Sequence, residues 1–172
     1  MTLGGHINIP RLIGLVLVGG YFLWCVLHPA DWHFIDSVNL TIHEAGHPLL
    51  SVFGEFLGIL GGSLSQMLIP FLFAGYFFLR QEHFSGAIVL MWLAQSLSNV
   101  SVYAGDAVNM ELPLLGGDGV IHDWNYLLSA LDLLSHTSLI AHTIYTVSIG
   151  IFVVATVLAV RSLLAKPSFG VE

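Results

Sequence analysis

Long apolar runs separated by short polar stretches dominate the chain. Five of them are read as membrane spans, each near the roughly 20 residues that cross the hydrocarbon of a bilayer: residues 11–27, 35–60, 64–79, 84–104 and 137–163. Pro10 opens the first, where its missing N–H costs nothing. Pro29-Ala30-Asp31-Trp32-His33 then breaks the chain, with Trp32 suited to the headgroup belt. The second run closes at Gly61-Gly62 and the third at Arg80-Gln81-Glu82-His83. A Gly-rich connection over residues 106–123 follows the fourth, and Gly116, Gly117 and Gly119 suit a path that dips into the bundle. Residues 124–134 read as an interfacial helix with Asp123 as its N-cap. The expected fold class is all-α: a polytopic membrane helix bundle of about five transmembrane helices, an interfacial helix and a re-entrant Gly-rich loop.

Composition agrees with this pattern. The 172 residues are 56% hydrophobic and 9% charged, against about 25% charged in a soluble domain. The basic residues are only Arg11, Arg80, Arg161 and Lys166, so there is no basic face for nucleic acid. The net charge of −7 comes from acids in the connecting segments. Cys25 is the single cysteine, which excludes an intramolecular disulfide and reads as inert packing. No basic n-region with a small-residue cleavage site begins the chain, so the first span is expected to stay as an anchor. Without a repeat or a low-complexity tract, residues 1–172 are expected to form one integral membrane domain.

The chemistry is concentrated in the second run, at His43-Glu44-Ala45-Gly46-His47. On a helix the two histidines lie one turn apart on one face and can share a metal ion, and Glu44 beside them can take a proton from water. Ionisable side chains at bilayer depth cost about 2.5–3.5 kcal/mol each on insertion scales, and a metal compensates them. Pro48 follows directly and removes the hydrogen bond to the carbonyl of Glu44. A catalytic zinc site has three protein ligands and an open position. Asp106, Asp118, His122 and Asp123 are the candidates for the third; with Asp123 assigned to the helix cap, His122 is preferred, since imidazole is the commonest metal ligand. Gln95, Asn99, Tyr103 and Asp106 follow at spacings of four, four and three and share one helical face. They read either as a wall of the site, with Gln95 and Asn99 holding substrate, or as interhelical hydrogen bonding. His6, His28, His33 and His83 lie at span ends and need no special role; His136 and His142 flank the last span.

Glu44 flanked by His43 and His47 within a span resembles the site-2 protease family of intramembrane zinc metalloproteases. That resemblance implies that the two histidines and a distant aspartate hold zinc while the glutamate activates water for peptide hydrolysis. The segment from Asn109 to Gly119, with Pro113 ahead of Asp118-Gly119, is similar to the family's second motif, and on that match Asp118 is the third ligand. Gly116-Gly117 stands where the family has a proline.

The expected function is an intramembrane zinc metalloprotease that hydrolyses a peptide bond in or near the bilayer by zinc-activated water, with Zn2+ as cofactor. Its expected partners are a membrane-embedded peptide or protein substrate and the lipid bilayer. The alternatives are a zinc-dependent membrane lipid amidase or esterase and a non-catalytic membrane metal-binding or assembly protein. The expected location is a prokaryotic cytoplasmic membrane. In a plain five-span arrangement Arg80, Arg161 and Lys166 fall on the cytoplasmic side and Arg11 outside; if the Gly-rich connection crosses fully, the N-terminus, Arg161 and Lys166 are cytoplasmic instead.

Overall fold

The computed structural model describes residues 8–115 and 119–164. Helix α1 runs over Ile9–Leu27, capped by Asn8 and carrying a π-helical turn at Leu15–Gly19. After a turn come α2 (Phe34–Ser51), α3 (Glu55–Leu79) and α4 (His83–Gly105). A loop leads to the short α5 (Asp123–Ala130), and a 3-10 turn at Leu134–His136 opens onto α6 (Thr137–Leu164). No strand occurs among the described residues, and the fold is a helical membrane bundle.

Four helical stretches are long and apolar enough to cross a membrane: Ile9–Leu27, Glu55–Leu79, His83–Gly105 and Leu134–Leu164. The expected fifth, over residues 35–60, is divided. Its first part is α2, only 18 residues long and carrying Asp36, Asn39, His43, Glu44 and His47. The division falls at residues 52–54, where Gly54 turns the chain at φ +108°, a value that favours glycine. Gly61-Gly62, expected to end that run, lies inside α3 instead.

Contacts along α4 give the direction of every neighbour. Arg11 stacks over the Phe84 ring, Gly19 faces Met91, and the Ser98 hydroxyl donates to the carbonyl of Val26, so α1 runs parallel to α4. Phe78 packs beside Gly86 and Gln66 beside Asn99, so α3 is antiparallel to α4. Gly105 faces Ala141 and the Ser148 hydroxyl donates to the carbonyl of Ala94, so α6 is antiparallel too. Between α1, α4 and α6 lies the apolar core of Phe22, Val26, Ala87, Met91, Ala94, Phe152, Ala155 and Ala159. Small residues there let the backbones approach, which is how helices associate where lipid offers no hydrophobic contrast.

Helix α2 also runs parallel to α4. Gln95 donates to Asp36, Asn39 donates to Gln95, and the His43 and Tyr103 rings lie 5.8 Å apart. Two consecutive helices of the same direction cannot both cross. The chain turns at residues 28–33, and α2 starts again beside α1, where the Tyr21 hydroxyl accepts from the backbone N–H of Ile35. Its first turn is therefore about 18 Å up α4 from His83, at 1.5 Å per residue. From there it rises past the last turn of α4 and returns as α3. A capping box between His33 and Asp36 fixes that start.

Candidate metal centre

Helices α2 and α3 form a tight antiparallel hairpin held by glycines. A Cβ on Gly46 or on Gly61 would strike the other's backbone, so Gly46 of the motif is required by the helix beneath it. A Cβ on Gly62 would lie 2.6 Å from His43 Nε2 and 2.7 Å from His47 Cε1. The two imidazoles thus rest on the bare backbone of α3. The His47 Nδ1–H donates to the carbonyl of Gly58 at 2.9 Å, which turns Nε2 toward the site. Ligating histidines are characteristically oriented through their second nitrogen in this way.

Asp123 supplies the third donor. Its Oδ2 lies 3.0 Å from His43 Nε2 and 3.4 Å from His47 Nε2, and ligand atoms of these three residues all lie within 4.8 Å of one another. Bonds of about 2.0–2.1 Å in a tetrahedron place ligand atoms about 3.3 Å apart, so the observed spacing fits a small metal ion. The electrostatics point the same way. With Nδ1 donating, His47 Nε2 is a lone-pair acceptor facing a buried carboxylate oxygen, and a cation between them removes the repulsion. His43, His47 and Asp123 therefore form a group that can hold a metal ion.

The expected roles of His122 and Asp123 are exchanged. His122 is the N-cap of α5, its Nδ1 accepting from the N–H of Asn125 at 3.2 Å. Its Nε2–H donates to Asp106 at 3.2 Å, so neither nitrogen is left for a metal. Asp123, one residue on, points into the site, with its backbone N–H donating to the Tyr103 hydroxyl at 3.1 Å. Asp106 is not brought to the histidines; its carboxylate accepts from the N–H groups of Glu111 and Leu112 and ties the loop to the end of α4. Asn125 donates to the carbonyl of Ala107, and the Trp124 indole to Ser63, completing the fastening of α5. Asp118, the ligand implied by the family resemblance, lies outside the described residues.

A cavity of about 790 Å³ opens on the triad. It follows one face of α2 from Asp36 through Leu40, His43, Glu44 and His47 to Ser51, a length of about 22 Å. Glu44 is exposed to it. Asn99 lines it, with its carbonyl oxygen accepting from Gln66 at 2.8 Å. Gln95 does not. Its amide is buried between Asn39 and Asp36, in a network that also takes in Trp92 and Ser96, and its part is to join α2 to α4. Asp31, Asp36, Glu44, Glu55 and Asp123 line the cavity without an arginine or lysine among the described residues. The Tyr126 phenol, on α5 outside the spans, is pushed up by desolvation first and then by Glu55 beside it. His136 and His142 are exposed and away from this cavity, and His142 is bound to the carbonyl of Ser138.

Sequence reasoning missed Gly58, Gly61 and Gly62. Their spacing of three and four on a helical face was the available signal for a close approach of helices. No protein-family model, curated protein or solved structure matches the chain.

Proposed function

We propose that this integral membrane protein is a zinc metalloprotease of a prokaryotic cytoplasmic membrane, cutting peptide bonds at the membrane surface or within its border. The observation that carries the reading is the convergence of His43, His47 and Asp123 beside an exposed, cavity-facing Glu44. Two imidazoles and one carboxylate are a donor set suited to zinc. The resemblance to the site-2 proteases supports the same chemistry, with Asp123 in the place that it implied for Asp118.

When bound, zinc supplies a Lewis acid that polarises the scissile carbonyl and acidifies nearby water. Glu44 accepts the proton of the attacking water and passes it to the leaving amine as the C–N bond breaks and a C–O bond forms. The Gly58 carbonyl keeps His47 in its liganding orientation through the second ring nitrogen. The groove along α2 holds about six or seven residues of extended chain at 3.3 Å each, with the triad near its middle. Asn99 offers an amide to that backbone.

Hydrolysis of a membrane lipid by the same centre is the second reading. The carboxylate-rich lining disfavours it, because a phosphate would face Asp31, Asp36, Glu44 and Glu55 with no arginine or lysine in the cavity among the described residues. Incubation of the zinc-loaded protein with membrane peptides and, separately, with bacterial phospholipids tests the choice. Peptide cleavage lost in Glu44→Gln supports the proposal. Lipid cleavage alone overturns it in favour of the second reading, and no hydrolysis of either favours a non-catalytic metal-binding protein.

A further inference from the structure

The arrangement of helices gathers the arginines at one end, together with Glu82, and most of the other acids toward the opposite one. Arg11 sits over Phe84 at the start of α4, Arg80 joins α3 to α4, and Arg161 is near the end of α6. Since α1 and α4 rise together and α3 and α6 descend, all three arginines lie at one end of the bundle. Lys166 lies outside the described residues. The opposite end carries Asp31, Glu55, Asp106, Glu111, Asp123 and Asp132, and no arginine or lysine among the described residues. The metal centre belongs to that acidic end. His43 faces Tyr103, two residues from the close of α4, and residues 112–115, Val120 and Ile121 line the cavity from the same end. Exposed Trp24 and Trp32 stand near this end, as expected at a membrane border.

This distribution differs from the one expected of five spans because α2 does not add a crossing. With four crossings, the first and last described residues fall on the same side as the arginines. Short loops rich in arginine and lysine are retained in the cytoplasm. We infer that the metal centre opens on the extracytoplasmic face, so that its substrates are polypeptide segments displayed on, or entering the bilayer from, that side. The word substrate rests on the proteolytic reading above; the orientation does not.

Cysteine labelling decides it. In a Cys25→Ser background, Ser135→Cys marks the loop before α6 at the acidic end, and Glu82→Cys marks the α3–α4 turn at the basic end; both positions are exposed. Intact bacterial spheroplasts expressing the full chain are treated with a membrane-impermeant maleimide. Ser135→Cys is expected to react in intact cells on the order of tenfold more than Glu82→Cys, and both to react alike after lysis. Labelling of Glu82→Cys alone in intact cells, or equal labelling of the two, overturns the inference. Should either cysteine variant fail to accumulate, a fluorescent protein fused after Glu172 of the native chain gives a second reading. It fluoresces if the C-terminus is cytoplasmic, and a dark fusion with an active alkaline phosphatase counterpart overturns the inference. Neither outcome depends on hydrolysis, so a failed orientation and a failed proteolytic assignment are told apart.

Discussion

Gly62→Ala adds one methyl group to α3 at the point where both histidines rest. Its Cβ would lie 2.6 Å from His43 Nε2 and 2.7 Å from His43 Cε1 and His47 Cε1, whereas ordinary contact begins at 3.4 Å. The rings must retreat by about 0.7–0.8 Å or the hairpin must part, and metal–ligand distances tolerate only about 0.2 Å. Gly46 and Gly61, already in mutual contact, leave the hairpin little freedom to yield. Overpacking of this kind costs about 1–3 kcal/mol. If the metal site carries that cost, zinc affinity falls on the order of five- to a hundredfold. The control is Gly75→Ala on the same helix, where a Cβ meets nothing within 4 Å. Glycine in a helix interior is about 0.5–1 kcal/mol less stable than alanine, so Gly75→Ala should be neutral or mildly stabilising. Zinc is titrated against a competing chelator in detergent for both variants and the wild type. Wild-type affinity in Gly62→Ala would refute the packing argument, because the imidazoles could not then be seated on Gly62 as described.

Four further outcomes are expected. Glu44→Gln should keep its zinc while peptide hydrolysis falls on the order of 10²–10⁴-fold, measured by metal analysis beside a cleavage assay. Asp123→Ala should lose zinc outright, whereas His122→Ala, acting only through the seating of α5, should weaken zinc binding about 10–100-fold. The reverse order in the same titration would restore His122 as the ligand. His47→Ala should lose zinc as Asp123→Ala does, and retention of one zinc per chain would dismiss the centre. Gln95→Leu should lower thermal stability by about 1–3 kcal/mol through the orphaned Asn39 and Asp36, with zinc affinity little changed.

Much of the bundle was legible because apolar length is a local property. The spans at residues 11–27, 64–79, 84–104 and 137–163 sit within helices of the structure. The break between α2 and α3 was not legible, and the reason is chemical. Residues 52–54 are Val52, Phe53 and Gly54, so two of the three extend the apolar run while the backbone reverses. Gly61-Gly62 looked like the stronger stop, yet in a membrane hairpin glycine marks close packing as readily as chain termination. The direction of α2 depends on Asp36 meeting Gln95, a contact 59 residues apart that no hydropathy window senses.

The centre itself divides along the same line. His43 and His47 were readable because a helix places positions i and i+4 together whatever surrounds them. The third donor was not, because His122 and Asp123 are adjacent and each can serve either as cap or as ligand. Tertiary contacts decide between them. Asp106, at the end of α4, offers a carboxylate that captures the His122 N–H and leaves its other nitrogen to cap α5. The Tyr103 hydroxyl fixes the backbone of Asp123, and that pair of restraints turns the aspartate toward the histidines. The stripe of Gln95, Asn99, Tyr103 and Asp106 thus has divided duties along one face of α4: Gln95 joins α2, Asn99 lines the groove, Tyr103 and Asp106 seat α5. Interhelical hydrogen bonding describes Gln95 and the Gln66–Asn99 pair, while Asn99 and Tyr103 also line the cavity. The polar residues nearest the middle of the bundle are satisfied by other helices, as burial in lipid demands, and only those at its acidic end are free to shape a site.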